Sequence, residues 1–123
     1  MTILDTNAIL RFLLRDDVNK AVYVRDLMER EFCSIPVEVL AEVVYVLAKT
    51  YKIERTVIQK MLHDFLQNEN VGTPKQPVVE TALRYFGETK LDFVDCLLVG
   101  YALIDGHRIF TFDTELTKHL SRL

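Results

Sequence analysis

Glycine, proline and cysteine are scarce in this chain of 123 residues, which holds four, three and two of them. With so few chain breakers, and no Ser/Gly-rich stretch or repeat, a flexible linker or a repeat array is excluded. The chain reads as one helix-rich domain over residues 1–123. Cys33 and Cys96 stand far apart with no CxxC or Cys/His pattern. That excludes a disulfide framework or a zinc site and leaves two buried, reduced thiols. Long hydrophobic runs are missing too. The longest stretch without Asp, Glu, Lys or Arg is Cys96 to Ile104, nine residues, where a spanning helix needs about twenty. The start, Met1-Thr2-Ile3-Leu4-Asp5, has neither a basic region nor an apolar signal core, so the expected location is the cytoplasm and no membrane partner is expected. Positive charge is short: 15 Lys and Arg against 18 Asp and Glu leave −3. A protein gripping nucleic acid mainly through a basic surface would carry the opposite balance. What is abundant is apolar character, 50% of the residues. That supplies a core and excludes a disordered tail.

Periodicity divides the chain into short apolar strands alternating with helices. Strands are expected at Thr2-Ile3-Leu4, Phe32 to Ile35, Val71-Gly72-Thr73 and Arg108 to Phe112. Helices are expected over Ala8–Leu14, Lys20–Glu31, Val37–Thr50, Glu54–Asn68, Val78–Phe86, a segment from Asp92 or Phe93 to Ile104, and Glu115–Leu123. Gly87 and Gly106 read as helix stops, and Asp17 or Asn19 as a cap. Such alternation predicts an α/β fold, a parallel sheet covered by helices, with ligands outside the carboxyl ends of the strands.

Carboxylates stand where that rule points. Asp5 and Asp113 end the first and last expected strands. Glu42 lies in a helix in which Glu38 and Glu42 are the only polar residues between Val37 and Ala48, and Asp95 is the only charge between Phe93 and Ile104. A carboxylate in an apolar helix calls for a partner, a metal or a polar cleft. Oxygen ligands without His or Cys suit Mg²⁺ or Mn²⁺ and fit zinc poorly. A cation held there can activate water and neutralise a phosphodiester during in-line displacement. Each acid also has a plain structural use. Asp5 can cap the next helix, Glu42 can share a solvated stripe with Glu38, and Asp95 can cap its own first turn. Asp113 competes with Thr114 for the last cap, and Asp92 is a cap, a fifth acid, or both. Asp16-Asp17 reads as a turn. His63, His107 and His119 lie away from the expected strand ends and read as exposed polar residues.

These segments together, Leu4-Asp5-Thr6-Asn7, Val37-Glu38-Val39-Leu40-Ala41-Glu42, Asp92-Phe93-Val94-Asp95-Cys96-Leu97-Leu98 and Thr111-Phe112-Asp113, resemble a PIN domain of the VapC toxin type, in order and over nearly the whole chain. The resemblance implies an α/β/α sandwich with a central parallel sheet. It also implies a Mg²⁺- or Mn²⁺-dependent endoribonuclease, held inactive by a cognate antitoxin and usually homodimeric. Asp5, Glu42, Asp95 and Asp113 match the family's acidic quartet, and Asp92 matches a position acidic in a subset. In that reading Asp5 and Asp95 ligate the ion, Asp113 does so directly or through water, and Glu42 holds a metal-bound water or a second ion. Asn7 and Thr111 fall beside the pocket. Arg11 sits where relatives often carry Arg, as an RNA or antitoxin contact or as a partner of Asp16 or Asp17. Ile53, Val57, Ile58 and Met61 offer a dimer face and are equally explained as core. The chain stops soon after Asp113, so a further strand would be short or missing.

Two other classes compete. Another Mg²⁺-dependent phosphohydrolase on a doubly wound sheet fits less well: a haloacid-dehalogenase-like enzyme would want a second Asp where Asn7 stands, and a receiver domain would want a phosphoacceptor Asp ending a middle strand. A catalytically silent PIN-like module that only binds a partner would have no reason to keep four acids.

Overall fold

In the computed structural model, which describes residues 1–123, three two-residue strands pair in parallel in the order β1 (Thr2–Ile3), β2 (Cys33–Ser34), β3 (Val71–Gly72). Thr2 faces Cys33 and Cys33 faces Val71. The ladder runs one step past the strands, Leu4 N–H donating to Ser34 O at 3.2 Å and Ile35 N–H to Gly72 O at 2.9 Å. Seven helices cover the sheet: α1 (Thr6–Leu14), α2 (Val18–Arg30), α3 (Val37–Lys49), α4 (Arg55–Leu66), α5 (Gln76–Glu88), α6 (Phe93–Asp105) and α7 (Thr114–Leu120). The layering is that of an α/β/α sandwich. Buried side chains from the sheet and from all seven helices join in one cluster of 27 residues, with Ile9, Cys33, Ile35, Leu47, Ile58 and Val99 fully enclosed.

Local chemistry sets the helix starts. Asp5, Asp17 and Asp113 each occupy an extended N-cap position and accept from the amide three residues on: Ala8 N–H at 2.8 Å, Lys20 N–H at 3.1 Å and Leu116 N–H at 3.1 Å. Pro36 precedes α3, where its fixed φ suits a helix entry. Gly106, at φ +71°, closes α6 in the left-handed conformation that favours glycine. Both cysteines are buried and free.

Two expectations fail. Gly87 does not stop α5, which continues to Glu88. Its role is close packing: a Cβ there would fall 2.5 Å from Gln59 Oε1 on α4. The expected strand at Arg108–Phe112 does not form, and residues 106–113 are in neither helix nor strand. The reason lies in the sheet edge. Thr2 and Leu4 direct their amides to β2, leaving Ile3 as the one residue of β1 facing outward, too little to template a five-residue strand. Ile109 packs on the core, while Phe110 and Phe112 stand 86% and 90% exposed with their rings edge-on at 5.2 Å.

Two glycines give a stability test. A Cβ at Gly100 would meet the backbone oxygen of Val78 at 2.7 Å, and backbone cannot turn aside. Gly100→Ala is expected to cost about 1–3 kcal/mol through overpacking. Gly87→Ala meets only Gln59, whose amide end can swing away while its Cβ stays at 3.2 Å, and against that residual crowding alanine regains about 1 kcal/mol of helix propensity. Urea unfolding of both variants should show a large loss for the first and near-neutrality for the second.

Candidate active site

The acids gather around the N-terminal halves of α1, α3, α6 and α7. Asp5 leaves β1 and caps α1, so its carboxylate stands at the carboxyl edge of the sheet. There it lines a cleft of about 530 Å³ with Thr6, Asn7, Leu10, Glu38, Val39 and Glu42. The expected partners Asp5, Asn7 and Glu42 therefore do meet. Glu38 joins them, although the sequence offered it only as a solvated neighbour. The burial argument for Glu42 is overturned. Glu42 is exposed, because Tyr45 and Lys49 carry the same helix face out to solvent, and its charge needs no compensating partner.

Asp95 is different. It lies half-buried in the first turn of α6, beside Asp92, which occupies the N-cap position without donating or accepting a cap bond. Burial pushes the Asp95 carboxyl above the ordinary carboxylate range, and the negative charges of Asp113 and Asp92 push it further. Asp92 and Asp113 thus each lie within electrostatic reach of Asp95. Asp92 and Asp95 line a second cavity, of about 500 Å³, against Ala41, Val44, Tyr45, Ala48 and Lys49 of α3. The two clefts thus flank α3, with Ala41 in one wall and Glu42 in the other. Thr111 has a definite part: its Oγ1 accepts from Asp113 N–H at 3.0 Å and fixes the turn into α7.

The first cleft presents carboxylate, amide and hydroxyl oxygens, a donor set that suits a hard divalent cation, while the second carries Lys49 and Arg55 beside its two acids. The side chains do not form one shell, since no three His, Cys, Asp or Glu lie close enough together to hold a single ion. Capping is the physical reason at two positions. Asp5 and Asp113 each turn one oxygen back to an amide of their own helix.

Other sequence-marked residues have plain roles. Arg11 pairs with Asp16 (Nε to Oδ1, 3.3 Å) and donates from Nη2 to Tyr51 Oη at 3.1 Å, tying α1 to the second residue past α3. Asp16-Asp17 is the turn before α2. His63 packs against Glu80 at 3.3 Å. Ile58 is fully buried, Ile53 and Met61 pack on the core, and Val57 is exposed. No helix is long and apolar enough to cross a membrane.

A small parallel sheet with an acid at its carboxyl edge and further acids on the helices around it defines a class of α/β protein. The PIN domain family profile matches residues 2–120, and the chain belongs to that family. Within it the likeness is to the VapC type. The chain is 29% identical over 102 residues to a VapC ribonuclease of Aquifex aeolicus (strain VF5), covering 79% of this chain and 75% of that protein. No solved structure matches the chain significantly.

Proposed function

We propose that this protein is a divalent-metal-dependent endoribonuclease, the toxin of a toxin–antitoxin pair, acting in the cytoplasm on RNA phosphodiesters. The observation that carries the reading is the placement of Asp92 and Asp95 in one cleft and of Asp5, Glu38 and Glu42 in the next, on either side of α3, in a chain of the PIN family. Burial and the charges of Asp113 and Asp92 disfavour the Asp95 carboxylate, a cost that a bound cation would offset.

Asp95 and Asp113 would hold Mg²⁺ or Mn²⁺, with Asp92 beside them and Asp5 and Glu42 facing from the neighbouring cleft. When bound, the ion supplies charge neutralisation at the phosphodiester and activation of the attacking water. The chain's own residues set the stage. Asp5 and Asp113 are oriented by the amides they cap, each keeping a second oxygen free. Thr111 fixes the backbone at Asp113. Glu42 and Glu38, exposed on α3, stand where a water or a leaving hydroxyl can exchange a proton. The partners are RNA, a cognate antitoxin and a second copy of the chain, all within one domain over residues 1–123. One observation favours the silent-module reading: two of the four acids serve as caps, a use that requires no metal.

Purified protein freed of antitoxin, incubated with structured RNA, should cleave in Mg²⁺ or Mn²⁺ and stop in EDTA. Cleavage that persists in EDTA, or never occurs, contradicts the proposal.

A further inference from the structure

Four residues of α3 are exposed, and they form a single ridge: Glu38, Glu42, Tyr45 and Lys49. At about 100° per residue they fall within roughly 60° of the helix circumference. The ridge changes chemistry along its length. It begins with the two acids beside Asp5, passes to an aromatic ring, and ends in an ammonium about 10 Å from Glu42 along the axis. Tyr45 is 64% exposed, and Lys49 makes no ion pair.

Tyr45 and Lys49 also rim the cavity that holds Asp92 and Asp95. Across it, Arg55 lies over the Phe86 ring at 3.7 Å, donating from Nε to Phe86 O at 2.8 Å and from Nη2 to Leu91 O. All its bonds go to neutral carbonyls, so its charge is uncompensated. An apolar floor, a free aromatic face and two unpaired cations beside an acidic centre make an unusual combination on a chain of net charge −3. Charge complementarity points to an anionic ligand that also offers a flat apolar face. A nucleotide has both, its base for the ring and its phosphate for the cations.

We propose that this ridge seats an unpaired nucleotide next to the scissile phosphate, with the base stacked on Tyr45 and the following phosphate held by Lys49 and Arg55. The inference rests on the ribonuclease reading and deepens it by naming the residues that position the substrate. Single-stranded or looped RNA can present a base face; a duplex keeps its bases in the stack. Tyr45 is then a positioning residue for substrate.

The test uses the intact protein in EDTA, where RNA binds without being cleaved, with fluorescence anisotropy of a labelled single-stranded RNA and of a duplex. The single strand should bind more tightly. Tyr45→Ala should weaken it about 5- to 150-fold, the range for one stacked base, and Tyr45→Phe should restore it. Lys49→Ala should lower the slope of log affinity against log salt by about 0.7. In Mg²⁺, Tyr45→Ala should raise KM and leave kcat close to wild type. Unchanged affinity of Tyr45→Ala overturns the inference, and so does equal affinity for duplex. Sedimentation velocity gives a third contrary result: if Tyr45→Ala turns a dimer into a monomer, the face belongs to a second copy of the chain. If the wild type cleaves and Tyr45→Ala binds normally, only this inference fails; if the wild type neither binds nor cleaves RNA, the ribonuclease reading fails with it.

Discussion

Asp5→Asn and Asp113→Asn should unfold at the wild-type temperature and yet lose RNA cleavage by about a hundred-fold or more. The two halves of that expectation come from different chemistry. Asparagine caps a helix about as well as aspartate, so the bonds to Ala8 N–H and Leu116 N–H survive the change. The charge does not survive, and a hundred-fold loss corresponds to about 2.7 kcal/mol of transition-state stabilisation. Alanine at the same positions removes the cap as well and should cost about 1 kcal/mol in stability. Thermal melts beside cleavage rates therefore separate a cap from a catalytic carboxylate. If both Asn variants cleave normally, these acids are caps only and the silent-module reading gains.

Asp95→Asn should abolish cleavage to a similar extent while leaving the metal-free protein more stable at neutral pH. Its carboxyl is raised in the folded state by burial and by Asp113 and Asp92, so the folded protein holds the proton more tightly than the unfolded chain. Stability from this group is fully present below the ordinary carboxylate value and is lost as pH rises through the raised folded value. Metal-free wild type should thus lose stability over that window, and Asp95→Asn should lose less. Added Mn²⁺ should reverse the order. At a hundred-fold excess over Kd, binding contributes about 2.7 kcal/mol to wild type and little to the variant. Calorimetry at several pH values, with Mn²⁺ and with EDTA, reads both effects. A variant still stabilised by Mn²⁺ as much as wild type would remove Asp95 from the proposed metal site.

Much of the fold was legible because its signals are local. Asp5 marked the turn from β1 into α1 since an extended Asp before a helix has a single-residue mechanism, and Gly106 marked the end of α6 for the same reason. Gly87 was misleading because its function is not local: it lets α4 and α5 approach at Gln59, which spacing along one helix does not encode. The segment Arg108–Phe112 has strand-like residues, yet strand formation depends on a partner edge, and β1 offers only Ile3. Glu42 was misjudged because Tyr45 counts as apolar by composition. The exposed ridge of α3 therefore looked like an uninterrupted apolar helix, and its polar character emerges only from exposure. Asp5 and Glu42 line one cleft, and Asp92 and Asp95 line another. Their division between two clefts on either side of α3 was not visible, because it depends on how α6 packs against that helix.

Whether the acids on the two sides of α3 act as one site is the central question, and a double-mutant cycle between Asp5 and Asp95 answers it most directly. Single-turnover cleavage of one end-labelled RNA in Mn²⁺ would be timed for wild type, Asp5→Asn, Asp95→Asn and the double variant. Residues that act as a unit are strongly non-additive, so the double variant should be no slower than the slower single one. Losses that multiply, to about 10⁴-fold if each single loss is about a hundred-fold, would mean two independent sites and contradict a single metal-dependent centre.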